Sequence, residues 1–436
     1  MTRLLAVILA GVLSLGLAHP ALAADTPPSG PPSAVLTPLP LESGVAATAA
    51  GVSSELKVLL RKPGPGLSAL IVDPRSETVL TDIRADRARI PASTLKILTA
   101  AAVLRGLGPA TRLATTAHLS DDTVYLVGGG DPTLRRAGKQ APGEPASLKE
   151  LARRTASSIS PGLRVNLVYD DRAFRGPRLG PGWPRSFPGV GVVPPISALV
   201  VDGGRVNPGG NSRVSDPSRQ AAELFATYLR EEGIDVAGVK RGKVDERAVE
   251  IARVESQPVS DIVQTMLTDS ENAYAESLAH LLGGKLLDEP TFAGGAKATV
   301  QQLSELGIDV TGLSLLDASG LSRENRVTPV TIADVLTEVA RGSKPELSFI
   351  APGLAVAGFT GTLADRFTSP ATRPGRGLVQ AKTGTLTGVN SLAGLVRTED
   401  NGVLVFALIE NNTSSLAGSR ERMDRVAATL AQCGCS

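Results

Sequence analysis

Between about residues 115 and 260 the chain changes texture, and that change constrains the fold more than any other feature. Gly and Pro are dense there, as in GGGDPTL (128–134) and RGPRLGPGWPRSFPGVG (175–191), with short strand-like runs between them. On either side the pattern is one of helices and hairpins. A short helix is expected around 46–60. Residues 67–73 and 78–82 flank a Pro74-Arg75-Ser76 turn and read as a hairpin. A helix is expected from about Ser93 to Leu107, apolar at Leu95, Leu98, Ala102 and Leu104, with Gly106 and Gly108 near its end. Further helices are expected over 261–266, 273–282 and 297–306. Residues 378–386 and 391–397 read as strands, and 403–410 pairs back through Glu399-Asp400-Asn401-Gly402. A final helix, about 414–431, carries Met423, Val426, Ala427 and Leu430 on one side, which suits packing on a sheet. The whole is an α+β pattern: a core from 46–114 and 260–436, with 115–259 as an inserted domain.

The first residues have a secretory pattern. Arg3 supplies a positive start, Leu4 to Leu17 an apolar run, and Ala21-Leu22-Ala23 a small-x-small cleavage site. Residues 1–23 are thus expected to be a signal peptide, and the Pro- and Ser-rich 24–45 a linker. Export from the cytoplasm follows, to the periplasm, the cell envelope or the medium. Cys433 and Cys435 form a terminal C-x-C, and in an oxidising compartment a tight disulfide is preferred over thiolate chemistry.

Composition narrows the chemistry. Lys+Arg is 45 against Asp+Glu 43, and aromatics are 3%, so neither a basic field nor stacking platforms favour nucleic acid. Three histidines and two cysteines leave little material for a metal site. No cofactor is implied. His118 and His280 read as structural residues.

Three short motifs carry the chemistry. In Ser93-Thr94-Leu95-Lys96 the first and last residues share a helix face, so the amine reaches the hydroxyl. A serine is a weak nucleophile, and a lysine of lowered pKa can activate it. Only 11 residues are Lys, yet S-x-x-K also recurs by chance, as at Ser54 to Lys57, which reads as a solvated helix face. Ser270-Glu271-Asn272 precedes a helix, and by itself reads as readily as a cap. Lys382-Thr383-Gly384-Thr385 lies on a strand; its cation, hydroxyls and glycine suit a carboxylate, although an exposed strand would look similar.

S-x-x-K, S-x-N and K-T-G in this order are far more specific than any one of them. With them the sequence resembles the D-alanyl-D-alanine carboxypeptidase/endopeptidases, class C low-molecular-mass penicillin-binding proteins. The 174-residue separation of Lys96 and Ser270 matches that family's inserted domain. Further matches are Val127 to Thr133, Ala275-Glu276, Asp317 to Arg323 with Asn325 to Thr328, Gly361 to Leu363, and Arg366-Phe367; Ala318 departs from the family's usual Gly.

The resemblance implies a penicillin-binding, β-lactamase-like transpeptidase core, an antiparallel sheet flanked by helices. It implies hydrolysis of peptidoglycan stem peptides ending in D-Ala-D-Ala through a Ser93 ester, with cross-link cleavage as a second activity. It assigns Lys96 as base, Ser270 as proton relay and Asn272 to the acyl-side amide. Lys382, Thr383, Gly384 and Thr385 would hold the terminal carboxylate, and the Ser93 and Thr385 N–H groups would form the oxyanion hole. β-Lactams would act as covalent inhibitors, and no obligatory protein partner is implied. A β-lactamase and a non-catalytic wall-binding protein are the alternatives. Glu276 reads as a structural partner, Asp317, Ser319 and Arg323 as braces, and Asp131 as a turn-former; Trp183 reads equally as anchor or ligand contact.

Overall fold

The computed structural model describes residues 47–434 except 58, 61–63, 139–142, 161 and 208. The expected signal peptide, the whole of the expected linker and Cys435 lie outside the described residues. Cys433 is buried and disulfide-bonded.

Helix α1 (Ala49–Leu56) precedes strands β1 (Leu67–Asp73) and β2 (Thr78–Ile83). A single 3₁₀ turn, Ala92–Thr94, then leads into α2 (Leu95–Gly106).

Strands β3 (Ala114–Ser120) and β4 (Thr123–Gly128), helix α3 (Leu148–Ser157), β5 (Arg164–Asp170), α4 (Pro217–Glu231), β6 (Asp235–Arg241) and β7 (Val249–Glu255) come next. They build a five-stranded sheet of order β6-β5-β4-β3-β7, mixed because β4–β5 and β5–β6 run parallel. Both helices were hidden in the sequence by the surrounding Gly and Pro. Each is amphipathic and capped, by Ser147 and Asp216, and each buries its apolar face in one cluster that includes Leu151, Leu167, Phe225 and Leu229.

This segment enters and leaves at one neck. Leu113 N–H donates to Ser256 Oγ (2.9 Å) and Ser256 N–H to Leu113 O (2.8 Å).

After the neck come α5 (Val259–Thr268), α6 (Asn272–Leu287), α7 (Phe292–Glu305), α8 (Pro329–Arg341), the short α9 (Ile350–Gly353), β8 (Ala355–Val356), β9 (Val379–Leu386), β10 (Val389–Arg397), β11 (Val403–Asn411) and α10 (Leu416–Ala431). Strands from both ends of the chain join in a six-stranded antiparallel sheet, β2-β1-β11-β10-β9-β8. Its central strands are buried on both faces, so they read as continuous apolar runs and not as alternation. One face packs on the helical cluster around α2, α5, α6 and α8, and the other on α1 and α10. The stripe Met423, Val426, Ala427 and Leu430 lies in that second cluster. Phe406 is fully buried there, and Phe406→Ala is expected to cost about 3–5 kcal/mol, read as a lower urea midpoint at unchanged slope.

Among the described residues no helix is long and apolar enough to cross a membrane.

Candidate active site

The nucleophile candidate sits on a strained turn. Ala92 has φ 49°, in the left-handed region, and Ser93 follows it in the 3₁₀ turn; the α-helix proper begins two residues later than the sequence pattern suggests. Three anchors hold this turn. Thr94 Oγ1 donates to Pro91 O (2.7 Å), Ser391 Oγ on β10 donates to the same oxygen (2.7 Å), and Gly320 presses against Ala92 O so closely that a Cβ there would overlap it. Gly320 also has φ 84°, so the position needs glycine twice over.

Lys96 is fully buried, and its ammonium donates to Ser93 Oγ (3.0 Å), Asn272 Oδ1 (2.8 Å) and Ser319 O (2.8 Å). Burial brings its pKa down to about 8, against the charges of Glu276, Asp317 and Glu271, which favour the ammonium. Lys382, equally buried, is pushed well below its ordinary value, first by burial and then by the charge of Lys96. Burial is therefore what lowers Lys96, and the charge of Lys96 in turn adds to the lowering of Lys382.

Ser270 has φ 62°, and α6 starts at Asn272 with Glu271 as its cap residue, whose side chain makes no cap bond. The capping alternative for Ser270 thus fails. Asn272 is held from both ends of its amide, accepting from Lys96 and donating through Nδ2 to Val192 O (2.9 Å).

Strand β9 brings in the third motif. A Cβ on Gly384 would lie 2.9 Å from the Ser93 nitrogen, so only a glycine lets the strand approach the turn this closely. Lys382 Nζ donates to Thr383 O (3.0 Å), Thr383 Oγ1 to Thr362 Oγ1 (2.8 Å), and Thr385 Oγ1 to Asn390 Oδ1 (3.1 Å). Thr385 is exposed, while Ser93 and Ser270 are part-exposed. Direct bonds therefore join Ser93, Lys96 and Asn272, and close packing joins Gly384 to Ser93. Ser54 and Lys57, the other S-x-x-K, are exposed on and just after α1.

Behind the site lies a buried acidic pair. Glu276 accepts from the N–H groups of Ser319 (2.8 Å) and Ala318 (3.2 Å); burial and then the charge of Asp317 push its carboxyl up, and these N–H groups oppose the shift. Asp317 accepts from Trp183 Nε1 (2.8 Å), Gly320 N–H (2.9 Å), Ser322 N–H (2.5 Å) and Asn325 Nδ2 (2.7 Å). Trp183 is thereby an anchor, buried against Phe292 and Phe187. Asp131 forms a turn by accepting from Thr133 N–H (2.8 Å). His280 packs between Phe174, at a tilt, and Phe292, edge to face, and His118 bonds Thr116.

Sequence reasoning missed Ser391 and the carbonyls of Ser319 and Val192. A lone serine in a strand and a backbone oxygen carry no motif. Among the described residues no cluster of His, Cys, Asp or Glu could hold a metal ion.

The chain matches the D-Ala-D-Ala carboxypeptidase 3 (S13) family over residues 52–212 and 208–433. It is 34% identical over 427 residues to carboxypeptidase DacB of Mycolicibacterium smegmatis, covering 95% of this chain and 91% of that one. The crystal structure of penicillin binding protein 4 from Haemophilus influenzae superposes with a TM-score of 0.69 at 22% identity, covering 88% of this chain and 98% of the other. A predatory peptidoglycan endopeptidase from Bdellovibrio bacteriovorus gives 0.57 at 18%, covering 84% and 92%. A lysine-bonded serine on a strained turn and a family match across nearly the whole described chain lead to one conclusion: this protein belongs to the D-Ala-D-Ala carboxypeptidase 3 (S13) family of serine-type peptidases.

Proposed function

We propose that the protein is an exported carboxypeptidase that removes the terminal D-Ala from peptidoglycan stem peptides ending in D-Ala-D-Ala, through a Ser93 acyl-enzyme. The observation that carries this is the bond from Lys96 to Ser93 inside a site where burial brings the amine down to about 8. Neutral Lys96 takes the Ser93 proton as Oγ attacks the carbonyl carbon of the penultimate D-Ala. Ser93 and Thr385 N–H groups receive the oxyanion, and Ser270 returns a proton to the leaving amine. Released D-alanine leaves an ester that water hydrolyses. A substrate carboxylate beside Lys382 favours the charged form of that lysine, which in turn favours neutral Lys96.

In this reading residues 46–114 and 260–436 form the peptidase core, 115–259 an inserted domain, and 1–23 an export signal. Cross-link cleavage as a second activity is supported by the structural likeness to a peptidoglycan endopeptidase. Inhibition by β-lactams is supported by the Haemophilus protein, also solved in complex with one.

Incubation with a fluorescent penicillin, followed by peptide mass spectrometry, should place a stable adduct on Ser93, and Ser93→Ala should abolish both the adduct and D-alanine release. An adduct that turns over within seconds would indicate a β-lactamase, and no adduct on folded protein a non-catalytic wall binder. The acylation rate should rise with pH and reach half its plateau near pH 8, because the neutral amine is the working form and gains population as the proton leaves. A rate that is flat from pH 6 to 9 would remove Lys96 as the base.

A further inference from the structure

A second cleft, of about 370 Å³, opens beside the S-x-N motif, between α6 and the loop over 202–213. Glu271, Ala273 and Tyr274 line one wall, and Arg135, Arg205 and Arg213 are set into the other. Arg135 is paired with Glu144. Arg205 and Arg213 have no ion pair among the described residues. Asp202, the nearest acid of that loop, is taken by Arg136 through both its Nε (2.8 Å) and its N–H (3.1 Å).

Arg213 is the telling residue. Its Nε and Nη1 are buried and have no hydrogen-bond partner. Two buried guanidinium donors without partners are costly even on a part-exposed side chain, and a second arginine close by adds repulsion: both guanidinium groups lie near Gly203, where a Cβ would be 3.5 Å from Arg205 Nη1 and 3.6 Å from Arg213 Nη1. Glu271 faces them without reaching ion-pair distance, so the pair is not neutralised from within. An oxyanion would answer both deficits, because a planar fork matches a carboxylate.

The cleft is mechanically tied to the active site. Arg213 N–H donates to Pro188 O (2.9 Å), and in the same loop Val192 O accepts from Asn272, the residue bonded to Lys96.

We propose that this cleft is a carboxylate subsite, in which Arg205 and Arg213 hold a free carboxylate of the stem peptide upstream of the scissile D-Ala-D-Ala. The proposal rests on the reading of the substrate given above. The cleft is lined by Glu271 and Ala273, the two residues that flank Asn272, so it adjoins the position assigned to the acyl-side amide.

The test is equilibrium binding to the full chain carrying Ser93→Ala, so that no turnover is needed. The probes are L-Ala-γ-D-Glu-L-Lys-D-Ala-D-Ala and its counterpart with the D-Glu α-carboxylate amidated, and the same pair with meso-diaminopimelate in place of Lys, its side-chain carboxylate free or amidated. At least one free carboxylate should tighten binding about tenfold, and the gain should vanish with Arg213→Gln and fall with Arg205→Gln. The pair that responds identifies which carboxylate is held. Equal binding within every pair, or a gain that survives Arg213→Gln, overturns the subsite. The reaction is tested separately by D-alanine release from the parent protein, so a failed substrate assignment and a failed subsite give different results.

Discussion

Replacing Lys96 by methionine is expected to slow acylation of Ser93 by penicillin at least about a thousandfold while leaving a folded protein. Methionine matches the lysine stem in length and is at home in a fully buried site, so the packing around α2 survives. What is lost is the proton acceptor 3.0 Å from Ser93 Oγ and the donor shared by Asn272 and Ser319. Two acceptors left unpaired cost about 1–3 kcal/mol each, offset in part because a buried amine no longer has to be desolvated. Stopped-flow labelling against a thermal melt separates the two effects. Labelling within about tenfold of the parent, at an intact melt, would show that Ser93 is activated by some other group.

A large loss of stability, coupled to the active site, is expected at Asp317. Asp317→Ala removes the acceptor of four donors at once, Trp183 Nε1, Gly320 N–H, Ser322 N–H and Asn325 Nδ2, all in a buried setting. Stranded donors and the vacated volume together put the cost at about 4 kcal/mol. The loss reaches the chemistry too, since the same loop supplies the Ser319 carbonyl to Lys96 and presses Gly320 on the Ser93 turn. Trp183→Phe, which deletes a single donor and keeps an aromatic ring, should cost only about 1–2 kcal/mol. Urea unfolding of the two variants checks the ranking; equal midpoints would mean that Asp317 does not organise the loop.

How much of this was legible beforehand varies with the kind of signal. The hairpin at 67–83, the terminal strands and the final helix were readable because turn chemistry and apolar period are local. The contact of Ser93 with Lys96 was readable because residues three apart in a helical turn share a face, whereas the meeting of Lys96 with Asn272 depends on the fold. Helices α3 and α4 were not, since dense Gly and Pro around them mask an amphipathic pattern that tertiary packing completes. Nor was Trp183: whether a lone tryptophan anchors or binds depends on Asp317, 134 residues further along the chain. The same holds for Ser391, which reaches the Ser93 turn from a strand nearly 300 residues away.

The neck at Leu113 and Ser256 has a consequence for anyone recombining such enzymes. With entry and exit bonded to each other, the intervening stretch could be cut out and its ends joined by a short bridge without disturbing chain direction. Excision would nevertheless strip Trp183 from Asp317 and bare Ala273, Phe292 and Leu321, which now share a cluster with Trp183. The exchangeable cassette is therefore larger than the topological one: a transplant between relatives should carry the 317–325 loop together with the stretch whose tryptophan it was built to receive.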